Sequence, residues 1–287
     1  MEKISVCIPA YNEEKLIRRC LESVTAQEGV DITEILVGIN SSTDCTREIV
    51  EDYAKVDSRV RIVDSAKGKA NAWNALNAIA ENNLRIFQDG DCLVAQGTYA
   101  GLVSELGAND IVGASTMRDV KGKSFVVKLW NFPVKCVRPI HVLNGNLYLL
   151  KYSAVRERML KYFETPDMPE NIVNDDAFLG LVCEKVQVSR NIFIMVSVAE
   201  RLEEEIRRRR RIIHGNLLIR RDYPYLYSSQ KSQAKESKLI NVWSQFKAAT
   251  VIEKLLFPFL FPLRLILRAY VFRDFREVSL DDAVDWK

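Results

Sequence analysis

Ile4-Ser5-Val6-Cys7-Ile8, Ile35-Leu36-Val37-Gly38-Ile39, Val60-Arg61-Ile62-Val63 and Leu84 to Phe87 are short apolar runs, and the stretches between them carry helical patterns. Leu16, Leu21 and Val24 recur at helical spacing. Thr46 to Tyr53 continues as helix behind a Ser41-Ser42-Thr43-Asp44 turn and cap, and Ala70 to Ala80 is alanine-rich. Strands that alternate with helices form βαβ units, so the chain is expected to be α/β with a mainly parallel sheet flanked by helices. Such sheets bind ligands beyond the C-terminal ends of their strands. Asn12, Asn40, Lys69, Asp89 and Asp91 all stand at or soon after strand ends. Asp110 to Gly113 and His141 to Leu150 read as further strands.

The fourth run stops at Asp89-Gly90-Asp91. Two neighbouring carboxylates repel unless a cation sits beside them, and oxygen ligands at a strand end suit a hard divalent metal. A surface turn explains the same three residues.

Composition narrows the classes. A chain of 287 residues can bury a substantial core, and 48% hydrophobic with 28% charged residues fits a globular protein. The net charge of +3 gives no reason to expect nucleic acid as a partner, although Arg207 to Arg211 concentrates basic charge. Cys7, Cys20, Cys45, Cys92, Cys136 and Cys183 form no Cys-x-x-Cys pair. Only His141 and His214 could join them, so a zinc site is not expected. Cysteines in apolar runs pack as reduced thiols, which fits a cytoplasmic setting. The N-terminus shows no signal-peptide pattern.

Several motifs together resemble family 2 glycosyltransferases of the GT-A fold, over roughly Ile4 to Asn216. Val6-Cys7-Ile8-Pro9-Ala10-Tyr11-Asn12-Glu13-Glu14 looks like the N-terminal signature, which implies donor-binding roles for Pro9, Tyr11, Asn12 and Glu13. A Pro-Asn turn capping the first helix is the plainer reading. Asn40-Ser41-Ser42-Thr43-Asp44-Cys45-Thr46 is similar to the second motif, but Ile39 and Asn40 stand where acids are common, which weakens the case for a uridine donor. Lys67-Gly68-Lys69 resembles the segment before the third helix. Lys69 would reach the donor phosphates, or is simply a solvated lysine at a helix start. Asp89-Gly90-Asp91 matches the DxD motif. The resemblance implies that Asp91 ligates Mg²⁺ or Mn²⁺ and that Asp89 contacts the ribose or base.

Leu143-Asn144-Gly145-Asn146 looks like the segment lining the acceptor side, or a strand with a bulge at Gly145. Asn174-Asp175-Asp176 sits where the family carries Glu-Asp before an apolar helix. Asp175 is implied on the acceptor side and Asp176 as general base, and acids in a first helical turn are the alternative. Arg208 to Gly215 aligns with a Gln-x-x-Arg-Trp segment: Arg211 matches the arginine, Arg208 replaces Gln and Ile212 replaces Trp. The resemblance implies Arg208 and Arg211 at the diphosphate and His214 as a further metal ligand. A helix-end histidine and i,i+4 pairs with Glu203 to Glu205 explain the same residues. Loss of the Trp argues against a processive synthase.

The expected activity is therefore metal-dependent, inverting transfer of a sugar from a nucleotide-diphospho-sugar to an acceptor hydroxyl, in lipid-linked glycan, cell-envelope polysaccharide or glycoconjugate synthesis. A non-catalytic GT-A scaffold and a sugar-1-phosphate nucleotidyltransferase are the rivals. The latter usually carries a glycine-rich loop after the first strand, where this chain has Pro9-Ala10-Tyr11-Asn12-Glu13.

Near Tyr227 the composition changes, so we expect a catalytic domain over 1–227 and a helical appendage over 228–287. Val251 to Phe272 is strongly apolar but interrupted by Glu253, Lys254, Arg264, Arg268, Pro258 and Pro262. It reads as an interfacial segment on the cytoplasmic leaflet, with Arg264, Arg268 and Arg273 toward anionic head groups, or as a hairpin packed on the protein or on a second copy of the chain.

Overall fold

The structure is a computed structural model that describes residues 1–133, 135–136, 143–229, 243, 246–247 and 249–271. The chain divides into two compact units, Met1–Ser115 with 138–195, and Thr116–Val137 with 196–287.

The first unit is built on the expected alternation. Strands β1 (Lys3–Ala10), β2 (Asp31–Asn40), β3 (Val60–Ser65) and β4 (Leu84–Gln88) alternate with helices α1 (Ile17–Thr25), α2 (Thr46–Ala54) and α3 (Lys69–Ile79). β1 pairs in parallel with β2 and β4, and β2 with β3. Almost all of β1, β2 and β4 is buried, as sequences with few alternating polar positions require when both faces are covered. Gly38 is needed where α3 crosses the sheet: a Cβ there would lie 3.1 Å from Leu76 Cδ1.

Beyond β4 the sheet turns antiparallel. After β5 (Cys92–Leu93) and α4 (Thr98–Leu106) come β6 (Ile111–Asp119), then α5 (Phe125–Trp130) and β7 (Lys135–Cys136), then β8 (Leu147–Lys151), α6 (Tyr152–Phe163), α7 (Asp175–Val182) and β9 (Val186–Ser197). β8 inserts antiparallel between β4 and β6, giving the order β3-β2-β1-β4-β8-β6-β9-β5. The strand expected over 141–150 is therefore shorter. Residues 141 and 142 lie outside the described residues, and Gly145 and Asn146 form a turn rather than a bulged strand. The turn delivers the chain to β8 opposite Gln88, and Gly145 and Asn146 make contacts that a paired strand would forbid.

The second unit contains β7 paired to the end of β6, together with α5, α8 (Leu202–Asp222), α9 (Pro224–Ser229) and α10 (Val251–Val271). The appendage expected over 228–287 is described only in part, and Arg273 lies outside the described residues. α10 begins with a capping box: Thr250 N–H donates to Glu253 Oε2 (2.9 Å) and Glu253 N–H to Thr250 Oγ1 (3.3 Å). It runs unbroken through Pro258 and Pro262, both of which are exposed. Among the described residues no helix is long and apolar enough to cross a membrane.

Candidate active site

Three loops at the C-terminal ends of β1, β2 and β4 assemble the centre of the first unit. The first two are stapled together. Asn12 and Ser41 take left-handed backbone conformations (φ 55° and 54°) that turn each chain sharply out of its strand. Thr43 N–H donates to Asn12 Oδ1 (2.8 Å), Asn12 N–H to Ser42 Oγ (3.1 Å), Glu13 N–H to Thr46 Oγ1 (2.8 Å) and Glu14 N–H to Asp44 Oδ2 (3.1 Å). Burial pushes the Asp44 carboxyl up, but the bonds from Thr46 and from Glu14 N–H outweigh it and hold the carboxyl below its ordinary value. Asn12 and Asp44 thus build the loop pair, while Tyr11 stays exposed at its tip and Pro9 lies within β1 opposite Gly38. Asn40 is buried at the end of β2, where its Oδ1 accepts Gly68 N–H (2.8 Å). Gly68 (φ 126°) starts α3 and sets the position of Lys69.

The Asp89-Gly90-Asp91 loop follows β4. Behind it, fully buried Gln88 accepts Tyr99 Oη–H (2.7 Å) and donates through Nε2 to the Cys92 carbonyl (3.1 Å), which ties both ends of the acidic turn to the core. In front, Asp89 N–H donates to the Asn146 carbonyl and Asn146 Nδ2 to Asp89 Oδ2, both at 3.0 Å. Gly90 packs under the first loop, where a Cβ would lie 3.3 Å from Glu13 Cγ.

Lys69 joins the parts. Its Nζ lies 2.9 Å from Asp89 Oδ1 and 3.1 Å from Asp175 Oδ1. Withdrawal from water opposes its charge, but Asp175, Asp89 and Asp176 together raise the ammonium above its ordinary pKa. Asp175 is buried and also accepts Tyr148 Oη–H (3.0 Å). Burial raises its carboxyl, Lys69 works against that, and Asp176 and Asp89 add to it. Asp176 accepts Gly145 N–H through Oδ2 (3.0 Å) and Ala177 N–H through Oδ1 (2.8 Å). A Cβ on Gly145 would stand 3.3 Å from both Asp176 Cγ and Lys69 Nζ, so glycine is what allows this approach.

Donor atoms of Asp89, Asp91 and Cys92 lie within 4.8 Å of one another. Burial, with Asp91 and Asp89 nearby, pushes the Cys92 thiol well up, and a soft sulfur is a poor match for a hard ion. Both Asp89 oxygens already accept bonds, from Lys69 and Asn146. Asp91 Oδ1 likewise accepts the Cys92 thiol at 3.5 Å, and the two carboxylates together offer the oxygen ligands that a hard divalent ion takes.

The structure thus brings Lys69, Asp89, Asp91, Gly145, Asp175 and Asp176 into one cluster beside the strand ends that carry Pro9 and Asn40 and the loop of Tyr11, Asn12 and Glu13. Arg208, Arg211 and His214 lie in the second unit on α8, where Arg208 Nη1 donates to the Ser197 carbonyl at 3.5 Å. Sequence reasoning gave no role to Gln88 or Tyr148, and quoted Asn146 within the acceptor-side segment without one. Gln88, a polar residue closing the buried strand just before the acidic turn, was the one legible signal.

A family model, Glycosyl transferase family 2, matches residues 5–168. The uncharacterized glycosyltransferase EpsJ of Bacillus subtilis is 37% identical over 38% of the chain and 33% of its own length. Glycosyltransferase AglE of Haloferax volcanii is 32% identical over 39% of the chain and 38% of its own. The chain thus matches only about a third of the length of these relatives. Among solved structures, the mannosyltransferase PcManGT of Pyrobaculum calidifontis, in complex with GDP-Man and Mn²⁺, covers 93% of the chain and is itself covered to 82%, at 19% identity and TM-score 0.59. TarS 1–349 of S. aureus in complex with UDP covers 86% of the chain and is covered to 70%, at 18% identity and TM-score 0.52. These likenesses bear out the GT-A fold.

Proposed function

The chain belongs to glycosyltransferase family 2, and from that premise we propose that it transfers a sugar from a nucleotide-diphospho-sugar to an acceptor hydroxyl, with inversion at the anomeric carbon. The observation that carries the reading is Lys69, which links Asp89 of the acidic turn to Asp175 beside Asp176. One cluster then holds a donor site and a base.

The nucleoside lies over the stapled loops, against exposed Tyr11. Asn40 Oδ1 already accepts Gly68 N–H, and a neutral amide oxygen with one lone pair left is a weaker acceptor for the N–H of uracil than a carboxylate there would be. Asp91 would hold Mg²⁺ or Mn²⁺, which would supply positive charge beside the leaving nucleoside diphosphate. Lys69 adds a fixed cation near the same phosphates, and Arg208 and Arg211 are further candidates for them. His214 is proposed as an additional ligand only on the family resemblance. Asp176, oriented by Gly145 N–H and Ala177 N–H, accepts the proton of the attacking hydroxyl. Asp175 positions Lys69 and the start of α7. The acceptor is a sugar or lipid-linked hydroxyl.

A thermal-shift series with UDP, GDP and CDP and their sugars, with and without Mn²⁺, tests this. Ligands that bind only the folded state raise Tm with concentration. The expected result is a Mn²⁺-dependent shift with one nucleotide, lost in Asp91→Ala. Asp176→Asn should keep the shift yet lose the slow hydrolytic release of nucleotide diphosphate, in which water takes the sugar in place of the acceptor hydroxyl. Wild-type release by Asp176→Asn sinks the base assignment, and an unchanged shift in Asp91→Ala sinks the metal assignment.

A further inference from the structure

The surface of α10 is inverted relative to an ordinary surface helix. Its twelve exposed positions are all apolar, among them Ile252, Leu255, Phe259, Leu263, Ile266 and Tyr270. Phe259 is 74% and Ile266 65% exposed. The helix's four charged residues are turned elsewhere. Arg264 is buried and donates through Nε to the Trp130 carbonyl (3.3 Å), Arg268 donates to the same carbonyl (3.2 Å) and stacks on the Trp130 ring, and Glu253 closes the capping box. Lys254 is half-buried. The exposed row repeats at alternating steps of four and three residues, so it forms one continuous stripe about 31 Å long. α5, packed against α10, adds exposed Phe125 and Val126. A contiguous apolar surface of this kind marks an interaction site.

Charge selects the partner. The second unit carries 23 Lys and Arg against 13 Asp and Glu, a net of +10, whereas the first carries 18 against 25, a net of −7. We infer that α10 docks the second unit onto an anionic lipid surface, lying in the plane of the interface with its apolar stripe among the acyl chains. Because the charged residues of α10 are occupied within the protein, the attraction to head groups comes from the rest of the unit. A second copy of the chain would set two units of net +10 against each other, and Pro258 and Pro262 fall on the stripe that would have to interdigitate.

Flotation of the full chain with vesicles tests the inference independently of the transferase reading. The protein should float with phosphatidylcholine–phosphatidylglycerol vesicles, less with phosphatidylcholine alone, and less again at high salt. Phe259→Glu with Ile266→Glu changes two exposed side chains and should abolish flotation while preserving Tm and the nucleotide-dependent thermal shift. Wild-type protein that stays in solution with the anionic vesicles, or a double variant that floats as well as wild type, overturns the inference. So does a dimer in sedimentation equilibrium that the double variant dissociates and that does not float.

Discussion

Gly145 shows how much of this site is decided by single atoms. Its N–H orients Asp176, and its missing side chain leaves the space that Asp176 and Lys69 use. Gly145→Ala places a methyl group 3.3 Å from both, so the carboxylate or the ammonium must yield by a few tenths of an ångström. Displacements of that order at reacting groups are costly, and nucleotide release should fall by roughly tenfold or more. Gly145 does not rely on a left-handed backbone, so Tm should remain near wild type. Equal losses in Tm and turnover would instead mark Gly145 as a folding residue. In the sequence Gly145 stood in a segment that the family resemblance places on the acceptor side, with a strand bulge as the alternative, and neither reading named its partners. Its partners come from segments some 30 and 75 positions away along the chain, a separation that local pattern does not encode.

At the scale of elements, the loops after β1 and β2 act as one body through reciprocal bonds accepted by Asn12, Asp44 and Thr46. Both loops were legible as turns, with Asp44 as a cap. That each caps the other was not, because the bonds run between segments about 30 residues apart. Cys45 sits in this joint and is exposed, while Cys7, Cys20, Cys92 and Cys183 are buried. Burial pushes the Cys7 and Cys20 thiols up to about 12. Glu14 and Glu48 raise the Cys45 thiol as well, so its thiolate is scarce at neutral pH. In native protein a thiol reagent should modify Cys45 first among these five, more slowly than free cysteine and faster as pH rises. Peptide mapping after brief labelling reads this directly. Comparable labelling of Cys20 or Cys92 would show that the core under the acidic turn opens.

For the molecule as a whole, the opposite end of the sheet carries a different kind of residue. Arg85 is buried in β4, with Nε on the Asn82 carbonyl, Nη1 on the Asn77 carbonyl and Oδ1, and Nη2 on the Ala80 carbonyl, over the Tyr152 ring at 3.5 Å. It satisfies the last carbonyls of α3 and joins that helix to α6. Arg85→Met should leave those carbonyls unsatisfied, each at about 1–3 kcal/mol, and lower stability by several kcal/mol. Urea denaturation checks this; a midpoint unchanged from wild type would remove Arg85 from the framework of the fold. The alternating runs of the sequence determined the parallel half of the sheet, because burial on two faces imposes an unmistakable apolar pattern. They also placed Asp89, Asp91 and Lys69 at strand ends, since topology alone brings those ends together. Only tertiary structure decided that Lys69 bridges Asp89 to Asp175, that Gln88, Asn146 and Tyr148 hold the acids in place, and that α10 turns its charges inward. Each of these depends on which distant groups meet in a low-dielectric interior, where an unpaired polar atom is too costly to leave and the choice of partner belongs to the packed chain.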